Sequence, residues 1–553
     1  MMAMLGHLLV APVVLPLLSA AIIVALGDRR RPGACRAVSI GSCLSLVLAA
    51  VYLLGWSAIG QPVAYPLGNW PAPYGIVLVL DRLCALMLLL TALLAVAVAW
   101  FAAGGWDARG RHFHALFQLQ LMGLNGAFLT GDLFNLFVFF ELLLIASYGL
   151  MLHGGGVRRQ RATLHYLVCN LVASTLFLVS ASLLYGVTGT LNMADLALQV
   201  AAAPLEDASL LRSAGLVLLV VFAVKAAVLP LGFWLRDGYA SASPPVACLF
   251  ALMTKVGIYA IVRTCTLMFG AEAGGDANLA GEWLVPVGIA TLAMASIAAL
   301  ACRNLAELAA CLVVTSVGSM LIGAGVLSAQ GLSAALFYMV HSTFAVALLF
   351  LLAGEIAHER GALGSDLLPG PPLRPGHLAP LFLFAAIAVS GLPPGGGFIA
   401  KVGILQGAID GSWTALSWMA IFASSLLVVV ALARSGSMLF WRPLGSSVTA
   451  ASAGAAAGLP RASAGPSWFL ATALLLLLVG ARPVQQFMDA TGAQLLDPAG
   501  YVDAVIQRDL IGPPDLIGPG DDRLRTRGGV PEVAPSAAPS AAPPAAPPGA
   551  RGA

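Results

Sequence analysis

About fourteen apolar runs, each near the ~20 residues an α-helix needs to cross a bilayer core, divide residues 1–481 of this chain. They fall near 5–26, 36–55, 76–103, 112–130, 132–152, 164–187, 210–234, 243–264, 283–301, 307–327, 331–353, 378–408, 413–440 and 466–481. In lipid every backbone N–H and C=O must find its partner within the span, so such runs commit the chain to helices. The predicted fold class is an all-α polytopic membrane protein. Composition agrees: 59% of residues are hydrophobic and 10% charged, whereas soluble domains run near ~45–50% and ~25%.

Arginine placement predicts orientation. Arg29, Arg30, Arg31 and Arg36 follow the first run, Arg109 and Arg111 the third, and Arg158, Arg159 and Arg161 the fifth. Arg236, Arg303, Arg360, Arg374, Arg442 and Arg461 fall on the same side in this count. The alternate side carries mainly Asp132, Asp195, Glu206, Asp207, Glu272, Asp276, Glu282 and Asp410. The positive-inside rule then puts both termini outside. The first run lacks a basic leader and is too long for a cleaved signal, so it reads as a retained helix. From 482 to 553 Pro, Ala and Gly dominate, and a disordered tail is expected, with room for a short interfacial helix before it. Eight cysteines show no C-x-x-C spacing and read as small packing residues. No Walker-type loop, dinucleotide fingerprint or haem attachment motif occurs, so no cofactor or metal is expected.

The three lysines of the chain are the exception to this sorting of charge. Lys225, Lys255 and Lys401 all lie inside apolar runs, against twenty-five arginines that lie mostly between them. Counted at ~1.5 Å per residue, Glu141 stands roughly 13 Å below Asp132, Lys225 roughly 22 Å past Leu210, and Lys255 roughly 18 Å past Ser243. His341 is about ten residues into its run and Lys401 about nine before Asp410, so in a core of ~30 Å all five share a middle layer. Charge at mid-span costs about 2.5–3.5 kcal/mol, and lysine, unlike arginine, gives up its proton readily when buried. A carboxylate at variable distance changes a lysine's hold on its proton. The predicted relay is Glu141 and Lys225, then Lys255, His341 and Lys401. The blander reading is static ion pairing between helices, with Glu141 the fixed counter-ion of Lys225. Asp81, Arg82 and Asp132, at predicted helix ends, read as anchors at the membrane surface.

An inverted repeat is suggested by helices 4–8 (112–264) and 9–13 (283–440), two blocks of five flanked by helices 1–3 (1–111) and the last helix (466–481). The fourth member of each block is interrupted, by Pro230 in KAAVLPLG (225–232) and by Pro393, Pro394, Gly395, Gly396 and Gly397 in SGLPPGGGFIAK (390–401). Each interrupted helix carries one lysine, and paired broken helices in matching positions are a pointer to a transport site.

The segments GDLFNLFVFFELLLIASYGLMLHGGG (131–156), LHYLVCNLVASTLFLVSASLLYGVTGTLNMADL (164–196), KAAVLPLGFWLRDGYASASPPVACLFALMTKVGIYAIVR (225–263) and GLPPGGGFIAKVGIL (391–405) resemble the D subunit of Mrp-type multisubunit cation/proton antiporters. That protein is in turn similar to the antiporter-like subunits of respiratory complex I. The resemblance covers most of residues 1–481. It implies fourteen helices in two inverted five-helix repeats, with Glu141 the acidic residue of helix 5, Lys225 its partner in helix 7, Lys255 the bridging lysine of helix 8, His341 the histidine of a broken helix 11 and Lys401 the terminal lysine of helix 12. Two departures stand out. Ala345 and Val346 occupy positions where complex I relatives often carry a lysine, and PPGGGF (393–398) replaces the commoner PPLSGF.

The function implied is a proton-translocating subunit of a monovalent cation (Na⁺ or K⁺)/proton antiporter, an ion transporter rather than an enzyme. It would sit in the bacterial inner membrane, with other subunits of a hetero-oligomer as partners and no nucleic acid. The alternative is a proton-pumping subunit of a complex I or membrane-bound hydrogenase assembly. A third reading is a scaffold that transports nothing.

Overall fold

Runs of Leu, Ala and Val bounded by Pro, Gly or a polar cap make helices almost throughout. A computed structural model describes residues 2–506 except 29, 371–372, 374–375, 410 and 442–463. In chain order the helices are α1 (Met2–Leu26), α2 (Pro32–Ile59), α3 (Arg82–Ala102), α4 (Phe113–Leu129), α5 (Leu133–Leu152), α6 (Val157–Thr188), α7 (Met193–Ala201), α8 (Ala208–Ala226), α9 (Phe233–Ser241) and α10 (Pro244–Phe250). They continue as α11 (Met253–Leu267), α12 (Gly281–Ala301), α13 (Leu305–Gly325), α14 (Ala329–Arg360), α15 (Leu378–Ser390), α16 (Gly396–Gly407), α17 (Thr414–Gly436), α18 (Gly465–Val479), α19 (Ala481–Leu496) and α20 (Ala499–Ile506). Side-chain caps start several of them: Asp81 accepts from Cys84 N, Asp132 from Asn135 N, and Ser328 from Gly331 N.

Among the described residues eleven helices are long and apolar enough to cross a membrane, and twelve if the bent pair α18–α19 is one span. The chain is thus an all-α polytopic membrane protein. The predicted segments that fall short are α4 with 17 residues, the interrupted segment 378–408, and α18 with 15 residues. Burial sorts the spans. The apolar 18-residue stretches of the spans at Pro244–Leu267 and Ala329–Leu363 are wholly buried in protein, whereas only 33% of that in the span at His7–Leu26 is buried. The central helices are therefore shielded from lipid, and polar side chains are tolerated there. Small residues allow close approach: a Cβ on Gly318 of α13 would lie 2.5 Å from Leu292 N of α12.

Several boundaries differ from the sequence reading. The third helix starts at Arg82, because Val77–Leu80 pairs antiparallel with Val63–Pro66 as a hairpin. Arg158, Arg159 and Arg161 belong to the first turns of α6, which begins seven residues before the predicted 164. The span at 243–264 is two helices, α10 and α11, broken at Ala251–Leu252. Helix 11, expected to be broken, is the continuous 32-residue α14. After 481, where a disordered tail with room for a short interfacial helix was expected, two helices, α19 and α20, run to Ile506. α19 turns 78° from α18 and buries Met488, Thr491, Gly492 and Leu495, and its Gly492 is pressed so close to Ala329 that a Cβ would lie 2.5 Å from that carbonyl oxygen. The remaining tail, Arg29, Arg374, Asp410, Arg442 and Arg461 lie outside the described residues.

Candidate functional site

The first interrupted helix ends at Ala226, one residue past Lys225. This lysine is in the last turn of α8, where the carbonyl ends of the helix favour a cation. Ala227 then takes a left-handed conformation (φ 58°), Pro230 offers no N–H, and Gly232 packs so tightly that a Cβ there would run into Ala227 O. The side chain of Lys225 is 7% exposed, and its Nζ donates to Ser174 Oγ of α6 at 3.3 Å. Ser174 in turn donates to Glu141 Oε1 of α5. The carboxylate and the ammonium are thus joined through one hydroxyl. The Phe140 ring stands 5.8 Å from Nζ and completes the pocket.

Lys255 lies one turn past the α10–α11 break and is wholly buried. Its Nζ donates to Ser316 Oγ of α13 at 2.9 Å, and Ser316 donates onward to Val313 O at 2.6 Å. Two residues on, Gly257 touches the end of α8: a Cβ there would lie 2.5 Å from Ala226 N. The helix ends bearing Lys225 and Lys255 therefore meet beside both lysines, although no hydrogen bond joins the two amines among the described residues.

The second interruption holds His341 and Lys401 together. α15 stops at Ser390, Gly391 takes φ +73°, and α16 begins at Gly396. The stop frees carbonyls that an unbroken helix would use. Lys401 Nζ donates to Ser390 O at 2.8 Å and to Ser425 Oγ of α17 at 2.9 Å, while His341 Nε2 donates to Ala388 O at 3.0 Å. A carbonyl only accepts, so the proton sits on Nε2, and the buried Nδ1, which has no partner, is the acceptor. The glycines of the break have a steric reason. A Cβ on Gly397 would lie 2.8 Å from His341 Nε2, one on Gly396 3.1 Å from Nδ1, and one on Gly391 2.8 Å from Lys401 Cδ. Pro393, Pro394 and Gly395 make the connection itself, with Gly395 N returning to Leu392 O.

Glu141 with Lys225, and His341 with Lys401, are thus gathered into two clusters, each at a helix break, with Lys255 on Ser316 between α8 and α13. Residues 130–427, which contain both clusters, match the family model "NADH:quinone oxidoreductase/Mrp antiporter, TM". Over 542 residues the chain is 40% identical to the D subunit of a probable K(+)/H(+) antiporter of Rhizobium meliloti, covering 91% of this chain and 98% of the relative. This chain belongs to the NADH:quinone oxidoreductase/Mrp antiporter family. The D subunit of the Na(+)/H(+) antiporter of Bacillus subtilis is 34% identical over 91% of this chain and 100% of its own length. Among solved structures, one of the Mrp complex from Dietzia sp. matches with TM-score 0.80 and 29% identity over 91% of this chain and 99% of that chain. Respiratory complex I from Thermus thermophilus matches with TM-score 0.70 and 25% identity over 88% and 99%.

Within this Mrp antiporter fold, three serines escaped the sequence reading. Ser174, Ser316 and Ser425 each receive one lysine amine. Nothing in a serine inside an apolar run marks which one faces a lysine one or two helices away. Asp81 also needs correction. It is not a surface anchor but is 3% exposed and paired with Arg263 at 2.6 Å, under the Tyr501 ring of α20, 5.1 Å from the guanidinium. Outside the spans, Asp107 follows α3. Burial pushes its carboxyl up, but hydrogen bonds from His114 and Arg36 outweigh that and hold it at about 2.

Proposed function

We propose that this chain is the proton-translocating membrane subunit of a multisubunit monovalent cation/proton antiporter. The observation that carries the reading is the Glu141–Ser174–Lys225 chain at the end of a broken helix. A carboxylate and an ammonium linked through a rotatable hydroxyl form a pair whose separation can change with small motions of the break. As the pair opens, Lys225 releases its proton toward Lys255 across the α8–α11 contact. Ser316, His341 Nδ1 and Lys401 carry it to the second break. Moving one charge across 100 mV takes about 2.3 kcal/mol, and closing an ion pair in a low-dielectric interior releases a comparable amount.

Fourteen spans, ten of them in two inverted five-helix blocks, with both termini outside, complete the proposal. The blocks are supported by the two breaks, α8/α9 and α15/α16, at the fourth place of each. The relatives at 40% and 34% identity are named as K(+)/H(+) and Na(+)/H(+) antiporter subunits, which supports exchange of a monovalent cation within an assembly of several subunits. They also favour antiport over the redox-driven pump of the complex I reading.

The test is Lys225→Ala and Glu141→Ala in the assembled complex, in membrane vesicles energised to hold a pH gradient. Both variants are expected to assemble and to lose cation-dependent collapse of the gradient. Undiminished exchange in either, at normal abundance, would remove Lys225 and Glu141 from the transport path.

A further inference from the structure

A cavity of about 1000 Å³ opens at the acidic end of the bundle, away from every residue of the relay. Its lining includes Glu272, Glu282 and Asp503 and, among the described residues, no lysine, arginine or histidine. Five helices end on it, α7 at Ala201, α11 at Leu267, α13 at Gly325, α16 beside Ala408 and α19 at Leu496, against three that begin there, α12 at Gly281, α17 at Thr414 and α20 at Ala499, so negative helix ends outnumber positive ones around one space. Carboxylates and helix C-termini together make a field that draws cations and repels anions. Among the described residues no three carboxylate, imidazole or thiol groups converge closely enough to hold a metal ion. The field is therefore spread over the wall, which suits a hydrated, weakly held monovalent cation better than a tightly ligated divalent one.

An independent observation points the same way. Ser417, in the first turn of α17, is 0% exposed, lines this cavity, and has an Oγ with no hydrogen-bond partner. A buried hydroxyl without a partner is costly, and an oxygen left available inside a cation-attracting cavity is a ready ligand. From Ser417 the same helix leads inward. Ser425 is eight residues on, ~12 Å along the axis, and accepts from Lys401 Nζ. Between them Ser424 shares a 2.6 Å hydrogen bond with Ser296 of α12. A cation held at Ser417 would stand at the outer end of a hydroxyl-lined helix face whose inner end is the terminal lysine.

We infer that this cavity is a collecting vestibule for the exchanged monovalent cation, with Glu272, Glu282 and Asp503 as its electrostatic wall and the Ser417 hydroxyl as its deepest ligand. The inference rests on the antiport reading for the identity of the ion, but not for its test. In the assembled complex, Ser417→Cys is labelled with a cationic and an anionic methanethiosulfonate of similar size, the parent chain giving the background. Each rate is divided by that for a free thiol in solution. The cationic reagent is expected to be favoured by about 10-fold or more, the low end of focusing in a cleft of one sign. Sodium or potassium should slow labelling saturably at constant ionic strength held with choline. Glu272→Gln, Glu282→Gln and Asp503→Asn together should bring the preference to near unity. Cys265, which already lines the cavity, provides the same readout in the unaltered chain. Equal normalised rates, or a preference unchanged by the triple substitution, would overturn the vestibule. So would silence toward both reagents at both positions, the result if lipid or a neighbouring protein fills the space. Labelling needs no turnover, so an inactive Lys225→Ala complex still reports on the vestibule, and a failed vestibule leaves the relay test intact.

Discussion

Ser174→Ala removes the hydroxyl that both Glu141 and Lys225 use, and leaves every charge in place. The Lys225 Nζ–Ser174 Oγ distance is 3.3 Å, at the long edge of the normal range, and the same hydroxyl donates to Glu141. A hydrogen bond to a charged group contributes about 1.5–3 kcal/mol. Taking the low end for the long contact alone gives about 10-fold in the equilibrium between linked and separated pair, at ~1.4 kcal/mol per decade. Losing both contacts, each at that same low end, gives about 100-fold. The expected outcome is a 10- to 100-fold fall in cation-driven proton exchange with normal assembly, because one missing oxygen costs far less than the surrounding packing supplies. Ser174→Thr keeps the hydroxyl and should restore most activity. The assay is collapse of a preformed pH gradient in vesicles, titrated with Na⁺ and K⁺ and normalised to complex abundance. Exchange within about twofold of the parent in Ser174→Ala would refute the bridging role, since that is below the effect of one charge-assisted hydrogen bond.

Further outcomes follow from other parts of the structure. Gly397→Ala places a Cβ 2.7 Å from Ala388 O and 2.8 Å from His341 Nε2. The His341–Ala388 bond must yield, and exchange should fall about 5-fold or more for an overpacking cost of about 1–3 kcal/mol, measured beside thermal unfolding of the detergent-solubilised complex. Asp81→Asn leaves Arg263 buried without its partner at 4% side-chain exposure. It should destabilise by about 3–5 kcal/mol, with Asp81→Leu/Arg263→Met recovering much of the loss. Asp107 is held at about 2, below its unfolded value. Its contribution to stability is present above the unfolded value near ~3.9 and is lost as pH falls through about 2. Asp107→Asn should therefore flatten the acid limb of the melting temperature against pH. Lys401→Ala, reconstituted with the whole complex, should abolish exchange with Na⁺, K⁺ and Li⁺ alike, because the amine lost is not a cation ligand.

Apolar run length by itself determined that this chain is a polytopic helical bundle, since in hydrocarbon the backbone has no other way to satisfy itself. It also placed the breaks. Pro230 and the PPGGG run cannot continue a helix, and α8 and α15 end within a few residues of them. The five relay candidates were legible because charge inside an apolar run is expensive and therefore conspicuous. What tertiary structure alone decided is which groups touch. Ser174 and Lys225 are 51 residues apart, and Ser316 and Lys255 are 61 apart. A serine costs too little inside a helix to stand out in the sequence, and only helix packing selects which hydroxyl meets an amine. The hairpin at Val77–Leu80 and the α10–α11 break were hidden for a related reason: an apolar stretch reads the same as strand, broken helix or continuous span until its neighbours choose. The same holds for α19. Its sixteen residues carry too little apolar surface to signal a fold, and the enclosed α14 orders them by offering Ser333 to Asp489 and a close backbone seat for Gly492.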